Sequence, residues 1–441
     1  MPNAYNTIKA EFNACPPECR LCEEACAKEK GHKIINQARI KPVHARAVKF
    51  HGTMSCVQCG QPRCQQICPA GAIEKNTEDG IVRIDEVQCV GCGLCTVACP
   101  YGGVYFDNES QKSFKCDQCN GDPKCVQACP YQVLSYIDNK PVLSFLKEDM
   151  LAPGVTACRG CPSELYLRLT LRILGKNTIL FSTPGCACGW MHGVYPNAAT
   201  RLARVHCLFD NVAATMTGSS LYYRSIGKDV NIVSFCGDGS TVDIGFQALS
   251  GAAERNEKII YIVYDNEGYM NTGDQRSGAT PYLARTTTTP VGIGRRGKEQ
   301  GSKYVPLLML FHGISYVATA NIAYPLDFVR KLTKAMHTKD GMSYLHLYSP
   351  CPTGWGAPED SSIAICKLAV ETNHFPLWEA DHGRVEINHE VANPKSLKEY
   401  IELMDKYKHI TPEEMDELQK RVNSRYEMIR NLAQRNEPCR V

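Results

Sequence analysis

Residues 235–245 read FCGDGSTVDIG. The stretch ends an apolar run, VNIVSFC over 230–236, and leads into VDIGFQALSGAAERN over 242–256, after which comes KIIYIVYDN over 258–266. The first and third runs have the length and β-branched content of buried strands, while the middle one repeats its apolar residues at helical spacing. Strand, helix and strand in that order predict a βαβ unit, hence a parallel sheet with a right-handed crossover and ligands at the carboxyl ends of the strands. On this reading Asp238 tops one strand and Asn266 tops its neighbour. Gly237 and Gly239 let the backbone approach a phosphate, and the helix after Ser240 aims its amino end at it. A hard cation such as Mg²⁺ takes oxygen ligands from a carboxylate, an amide and a phosphate. GDG alone is a common turn after a strand; the 26 residues separating Gly239 from Asn266 fit one helix plus one strand and favour a binding site.

The whole chain has 441 residues, 44% of them hydrophobic, enough for two or three domains. Its 49 basic and 46 acidic residues leave a net charge of +3, which argues against nucleic acid or an anionic membrane as partner. The longest apolar runs, such as IIYIVY over 259–264, have strand length, so no membrane span is expected. The opening MPNAYNTIKAEFNACPP lacks a basic stretch followed by an apolar one, and a cytoplasmic location is expected. Against that background the 25 cysteines read as metal ligands rather than a disulfide framework.

Sixteen of the cysteines form four groups: Cys15, Cys19, Cys22 and Cys26; Cys56, Cys59, Cys64 and Cys68; Cys89, Cys92, Cys95 and Cys99; and Cys116, Cys119, Cys125 and Cys129. The third, CVGCGLCTVACP, has the ferredoxin spacing in which three close thiolates hold one cubane and the fourth serves a neighbouring cluster. Zinc sites use two pairs across a longer loop, so contiguous quartets followed by proline favour four [4Fe-4S] clusters. A row of clusters suits electron relay; structural stapling is the alternative.

With CPAGAI, CPYGGV and CPYQVL after the last three groups, residues 10–136 resemble the four-cluster electron-transfer subunits of molybdopterin oxidoreductases and hydrogenases. That resemblance implies that the groups pair first with last and second with third, exchanging Cys26 with Cys129 and Cys68 with Cys99. The first group departs from it, with three residues rather than two between Cys15 and Cys19.

The βαβ spacing resembles the thiamine diphosphate signature, which implies Asp238 and Asn266 as Mg²⁺ ligands and the Gly268 carbonyl as a third. GDGSTVDIGFQALSGAAERN followed by YDNEGYMNTGDQRSGATPY and TTTTP then looks like the β subunit of pyruvate:ferredoxin oxidoreductase and its relatives, the 2-oxoacid:acceptor oxidoreductases, from about Cys158 to Trp355. The resemblance implies a further [4Fe-4S] cluster on Cys158, Cys161, Cys186 and Cys351, with Cys188 competing for the third place, making about five clusters in all. It implies Asn271 and Thr272 as cofactor-lining residues, Asn271 facing the reacting carbon, beside Gly237, Asp238, Gly239, Ser240, Asn266 and Gly268. The activity implied is oxidative decarboxylation of a 2-oxo acid to an acyl-coenzyme A and carbon dioxide, with electrons leaving through the clusters. The family's activating glutamate comes from a separate α subunit or domain, so α and γ-type partner subunits are expected. CRGCP, with Pro162, Ser163 and Glu164 after the second cysteine, resembles the indolepyruvate branch at that point.

The expected architecture is therefore an α+β polyferredoxin domain over 1–140, a linker over 141–157, an α/β thiamine diphosphate domain with a parallel sheet over 158–355, and a helical C-terminal tail over 356–441. In that tail Thr411, Pro412 and Glu414 spell a capping box. The tail either clasps partner subunits or packs on its own domain. GIGRRG over 292–297 matches a dinucleotide motif but follows no clear strand and reads as a basic surface loop. His206 reads as a packed helical residue, Trp190 and His192 as candidates for the substrate pocket, and Cys207, Cys236, Cys366 and Cys439 as small hydrophobes or exposed thiols. Pyruvate and an aryl acid such as phenylglyoxylate compete as substrate; the acceptor is ferredoxin or a flavin subunit that reduces NAD. A dedicated electron-transfer subunit, or a non-oxidative thiamine decarboxylase, are the alternatives in other functional classes.

Overall fold

A computed structural model describes residues 6–10, 15–16, 18–32, 35–45, 50–59, 62–76, 78–138, 148–152, 156–187, 200–435 and 438–439. The chain divides into two compact units, Met1–Leu146 and Lys147–Val441. The expected linker over 141–157 lies partly outside the described residues, as do Cys188, Trp190 and His192.

The first unit is made of small pieces. Each cysteine group lends one residue or more to a short helix: Leu21–Glu29, Arg63–Ile67, Leu94–Ala98 and Lys124–Gln127. Antiparallel pairs lie among them, β2 (Ile40–Ala45) with β3 (Phe50–Ser55), β4 (Ile73–Lys75) with β5 (Val82–Ile84), and β6 (Val104–Asp107) with β7 (Lys112–Lys115). The two ends are tied together, β1 (Asn6–Ala10) pairing with β8 (Leu134–Asp138). Such short elements cannot bury much on their own, and the cysteines themselves supply the core. Cys22, Cys26 and Cys125 pack with Ile40, Val133 and Leu134 in one cluster, Cys64 and Cys95 with Ile73, Val82 and Val104 in another.

The second unit is built on one eight-stranded sheet. Its strands are β9 (Thr178–Ser182), β10 (Ala203–His206), β11 (Asn231–Gly237), β12 (Ile260–Asp265), β15 (Tyr316–Asn321), β16 (Ser343–Tyr348), β17 (Trp378–Asp381) and β18 (Arg384–Ile387), in the order β10-β9-β11-β12-β16-β15-β17-β18. From β10 to β15 all neighbours are parallel. The central strands are buried on both faces, as their unbroken apolar sequences require. β11 and β12 are direct partners, from Val233 opposite Ile260 to Gly237 opposite Tyr264.

Three expectations need correction. The helix expected over 242–256 is a π-helical turn, Ser240–Ile244, followed by an α-helix over Phe246–Glu254. Gly245 permits this: its N–H reaches back to the Ser240 carbonyl at 2.8 Å, and a Cβ there would come within 2.4 Å of that oxygen. His206 sits exposed on the edge strand β10 rather than packed on a helix. The C-terminal 86 residues beyond Trp355 are no purely helical tail, since β17 and β18 extend the sheet as an antiparallel hairpin. His382 (φ 48°) and Gly383 (φ 80°) make the two-residue turn that such a hairpin favours.

The helix Pro412–Ala433 carries the expected capping box, Glu414 N–H donating to Thr411 Oγ at 3.3 Å and Thr411 N–H to Glu414 Oε2 at 2.9 Å. It packs on its own unit, with Ile429 and Leu432 in the main core. GIGRRG forms the exposed hairpin β13 (Val291–Gly292) and β14 (Arg295–Arg296), and Arg296 Nε donates to Glu414 at 2.6 Å. Cys207, Cys236 and Cys366 are buried in the core. Among the described residues no helix is long and apolar enough to cross a membrane.

Because Ile429 is fully buried, Ile429→Ala is expected to lower stability by about 2–5 kcal/mol. Thr411→Ala removes a cap and is expected to lower it by about 1 kcal/mol. Denaturation followed by far-ultraviolet dichroism compares the two; equal effects would contradict the packing of this helix.

Candidate active site and cluster positions

Because β11 and β12 are neighbours, their tips bring Asp238 and Asn266 together. The Asn266 backbone N–H donates to Asp238 Oδ1 at 3.3 Å, and Ser277 Oγ donates to Oδ2 at 2.5 Å. Asp238 is fully buried. Burial, with the neighbouring charge of Asp265, pushes its carboxyl well above the usual carboxylate range. A bound divalent cation would reverse that penalty, and the oxygen donors of Asp238, Asn266 and the Gly268 carbonyl suit a hard ion.

In front of these groups lies a cavity of about 110 Å³, lined by Gly237, Gly239, Ser240, Asn266, Gly268 and Asn271, with Thr272 at its edge. Its floor is shaped by glycine: a Cβ on Gly239 would fall 2.4 Å from the Tyr269 ring, whose hydroxyl donates to the Gly239 carbonyl at 3.0 Å. Ser240 is turned away, its hydroxyl donating to the Phe209 carbonyl at 2.9 Å. Asn271 and Thr272 are exposed at the mouth, and Thr272 Oγ donates to Gln275 at 2.5 Å. The cradle therefore fits a phosphate-bearing cofactor held through a metal.

A second cavity, of about 630 Å³, shares Asn266, Asn271 and Cys186 with the first. Cys158, Cys161, Cys186 and Cys351 all face it. Cys161 and Cys351 each stand immediately before a helix that starts with proline, Pro162–Leu174 and Pro352–Trp355. The Gly354 N–H donates to Cys351 Sγ at 3.3 Å. Burial, then the other three thiols, pushes Cys186 up to about 12. Four thiols gathered on one cavity from three distant stretches of chain suit a cubane cluster. Glu164 does not point to a cofactor; it accepts from Arg168 Nε at 2.9 Å, and Arg168 also reaches Asp149 at 2.5 Å.

In the first unit Cys15, Cys19, Cys22 and Cys129 line one cavity. Cys26 lies instead beside Cys116, Cys119 and Cys125, whose charges bear on one another. Cys99 bears on Cys59 and Cys64 together with Cys56. Cys89 and Cys92 act on Cys95, and Cys68 packs in the same core.

Two groups at the site escaped the sequence. Asp274 lines the larger cavity with φ 62°, and burial raises its carboxyl to about 6. Behind the cradle Glu267 stands at φ 63° between Asn266 and Gly268, and its carboxylate meets the Lys406 ammonium in an ion pair buried on both sides. Burial opposes its charge, but Lys406 and then His374 hold the Glu267 carboxyl down to about 2. Lys406 lies 3.2 Å over the Trp355 ring, and the Trp355 indole N–H donates to the Asn266 carbonyl at 3.0 Å. Lys406 comes from the C-terminal part, 139 residues from its partner, and no local pattern announces such a pair.

Residues 183–347 match the family model of the thiamine pyrophosphate enzyme C-terminal TPP binding domain, and residues 47–140 that of the 4Fe-4S dicluster domain. The chain is 40% identical over 443 residues to the NADH-dependent phenylglyoxylate dehydrogenase subunit beta of Aromatoleum evansii, covering 98% of this chain and 99% of that one. It is 41% identical over 296 residues to pyruvate synthase subunit PorB of Methanocaldococcus jannaschii, 65% of this chain and 99% of that one. Ketoisovalerate oxidoreductase subunit VorB of Pyrococcus furiosus is 42% identical over 295 residues, 65% of this chain and 94% of that one.

Removing Lys406 takes the main cation from a buried carboxylate that stands between Asn266 and Gly268, two of the expected metal-binding positions, and leaves it His374 at 3.6 Å. Lys406→Met is expected to cost about 3–5 kcal/mol of stability and to weaken Mg²⁺ or Mn²⁺ binding by about 10–100-fold. The double variant Lys406→Met, Glu267→Gln should regain much of the stability. Denaturation curves and Mn²⁺ titration followed by electron paramagnetic resonance check both effects.

Proposed function

Because the chain belongs to the thiamine diphosphate-dependent 2-oxoacid:acceptor oxidoreductases, as an iron–sulfur β subunit, we propose that it oxidises an aryl 2-oxo acid of the phenylglyoxylate type. What supports the substrate is coverage: the phenylglyoxylate relative spans both units, whereas the pyruvate and ketoisovalerate relatives match about two thirds of the chain. What supports the chemistry is the sharing of Asn266, Asn271 and Cys186 by the two cavities.

We assign Asp238, Asn266 and the Gly268 carbonyl to Mg²⁺, and Gly237, Gly239, Ser240, Asn271 and Thr272 to the lining of the cofactor. Bound there, thiamine diphosphate supplies the nucleophilic carbon and electron sink that decarboxylation of a 2-oxo acid requires. Asn271 orients the reacting groups from the shared wall, and Asp274, poised near neutrality at about 6, holds or yields a proton at its carboxyl oxygen. Cys158, Cys161, Cys186 and Cys351 hold the cluster that accepts electrons singly. The sixteen cysteines of the first unit hold four more, in the sets 15/19/22/129, 26/116/119/125, 56/59/64/99 and 68/89/92/95. The oxidised acyl group leaves on coenzyme A. A partner α subunit supplies the activating glutamate, a γ-type subunit completes the complex, and ferredoxin or an NAD-reducing flavin subunit accepts the electrons. A reducing cytoplasm suits so many thiolates.

Anaerobic assay of the intact complex with coenzyme A, a viologen dye and a panel of 2-oxo acids tests the substrate. Phenylglyoxylate is expected to give the highest kcat/KM; a higher value for pyruvate would contradict the assignment. Cys351→Ser is expected to lose about four irons per chain and to abolish dye reduction, while thiamine stays bound. Unchanged iron content would remove Cys351 from the cluster.

A further inference from the structure

The first unit contains a charge that electron relay alone does not require. Lys115, on β7, is 2% exposed. Its ammonium donates to Gln58 Oε1 at 3.3 Å, to the Cys116 carbonyl at 2.9 Å and to the Val82 carbonyl. All three acceptors are neutral oxygens, and among the described residues no carboxylate forms an ion pair with it. Gln58 is shaped for this task. Fully buried at φ 51°, it donates its amide to the Cys116 carbonyl at 2.8 Å and accepts the Val82 N–H at 2.9 Å, which leaves its oxygen facing Lys115.

A second ammonium lies close by. Lys75, on β4, is 7% exposed and donates to the Cys59 carbonyl at 2.8 Å; its charge and that of Lys115 bear on each other. Burying an ammonium among neutral groups costs several kcal/mol unless an anion offsets it. The anion is implied by the neighbours. The charge of Lys115 bears on Cys64 and Cys116, and that of Lys75 on Cys59.

The set of Cys56, Cys59, Cys64 and Cys99 faces both ammonium groups, while Lys115 also reaches Cys116 of the neighbouring set. Arg39, beside Cys26, shares Asp117 with Lys30, each at 2.9 Å, and also meets Glu86 at 3.2 Å. Lys41 and Arg20, both in reach of water, share the buried Glu23 at 3.6 and 2.8 Å near Cys22. Lys112 donates to the Cys89 carbonyl but is only half-buried, so water screens it.

We propose that Lys115, seconded by Lys75, is the built-in counter-charge of the cluster on Cys56, Cys59, Cys64 and Cys99, and that it makes this cluster the highest-potential station of the first unit. The inference rests on the cluster assignment above. A [4Fe-4S] cluster with four thiolates goes from a net charge of −2 to −3 when it accepts one electron, here one released by oxidation of the 2-oxo acid. A fixed positive charge in a low-dielectric setting favours the more negative form, so it raises the midpoint. Electrons entering the unit would rest on this cluster before onward transfer.

The test is a redox titration of the anaerobically purified complex, followed by electron paramagnetic resonance, in wild type, Lys115→Met, Lys115→Arg and Lys75→Gln. In wild type one component is expected to reduce before the other three of this unit. At the potential where it is half reduced, Lys115→Met should lower its reduced-to-oxidised ratio by about tenfold or more, the scale of a poorly screened nearby charge. Lys115→Arg should keep the wild-type midpoint, and Lys75→Gln should shift the same component negative by less. Loss of this cluster in Lys115→Met with retention in Lys115→Arg would equally support the counter-charge. If both Lys115 variants lose the cluster, the Lys75→Gln shift decides. Unmoved midpoints in Lys115→Met and Lys75→Gln would overturn the proposal. Failure of the cluster assignment itself is distinct: wild type would then lack the iron and the signals before any lysine is changed.

Discussion

The register of β11 against β12 is the constraint on which the second unit depends. Gly237 lies opposite Tyr264, so the chain leaves both strands at one level of the sheet, and Asp238 and Asn266 emerge within hydrogen-bonding distance. A slip of one residue would turn every side chain of a strand to the other face. Here the buried central strands forbid it, because Val233, Phe235, Ile262 and Val263 are all fully enclosed. The cost of that placement is a buried carboxylate beside a second one, Asp265, which is itself held by His346 at 2.8 Å. A protein retains such an arrangement where a cation offsets it.

Support for the cradle comes from behind. Asn266, Glu267 and Gly268 are consecutive, and Glu267 occupies a left-handed conformation that costs a non-glycine residue about 1–2 kcal/mol. The Lys406 ion pair, the Thr280 hydroxyl donating to the Glu267 carbonyl at 2.6 Å and the Trp355 indole on Asn266 hold the loop in that shape. Residues after Trp355 therefore serve the site from a distance, through the sheet hairpin and through Lys406. The first unit handles charge differently: its cysteines are its core, and the buried Lys115 and Lys75 ammonium groups sit where thiolates gather.

The βαβ unit, the strand tips and the cysteine groups were legible because each is written in a short stretch with a fixed spacing. The pairing of the first cysteine group with the last came only through resemblance, and that of β1 with β8 only with the structure, since contacts so far apart in sequence leave no local trace. The same holds for Glu267 and Lys406. Three departures from the expected structure have local causes. Gly245 lets the start of the helix widen into a π turn where periodicity alone makes the helix continuous. The two-residue hairpin turn at His382 and Gly383 is too short to stand out beside the longer helical patterns after it. His206 was misplaced because four residues of edge strand offer too short a window to tell period two from period three to four.

If the two strand tips jointly hold a metal-bound diphosphate beside an independent set of cysteine ligands, loss of the Asp238 carboxylate should release the first and spare the second. Chemical quantification of thiamine diphosphate and iron in the purified Asp238→Ala complex tests it most directly. Thiamine is expected to fall to trace levels while iron and the reduced-cluster signals stay at wild-type values. Thiamine retained at the wild-type level, in a chain with its clusters intact, would contradict it.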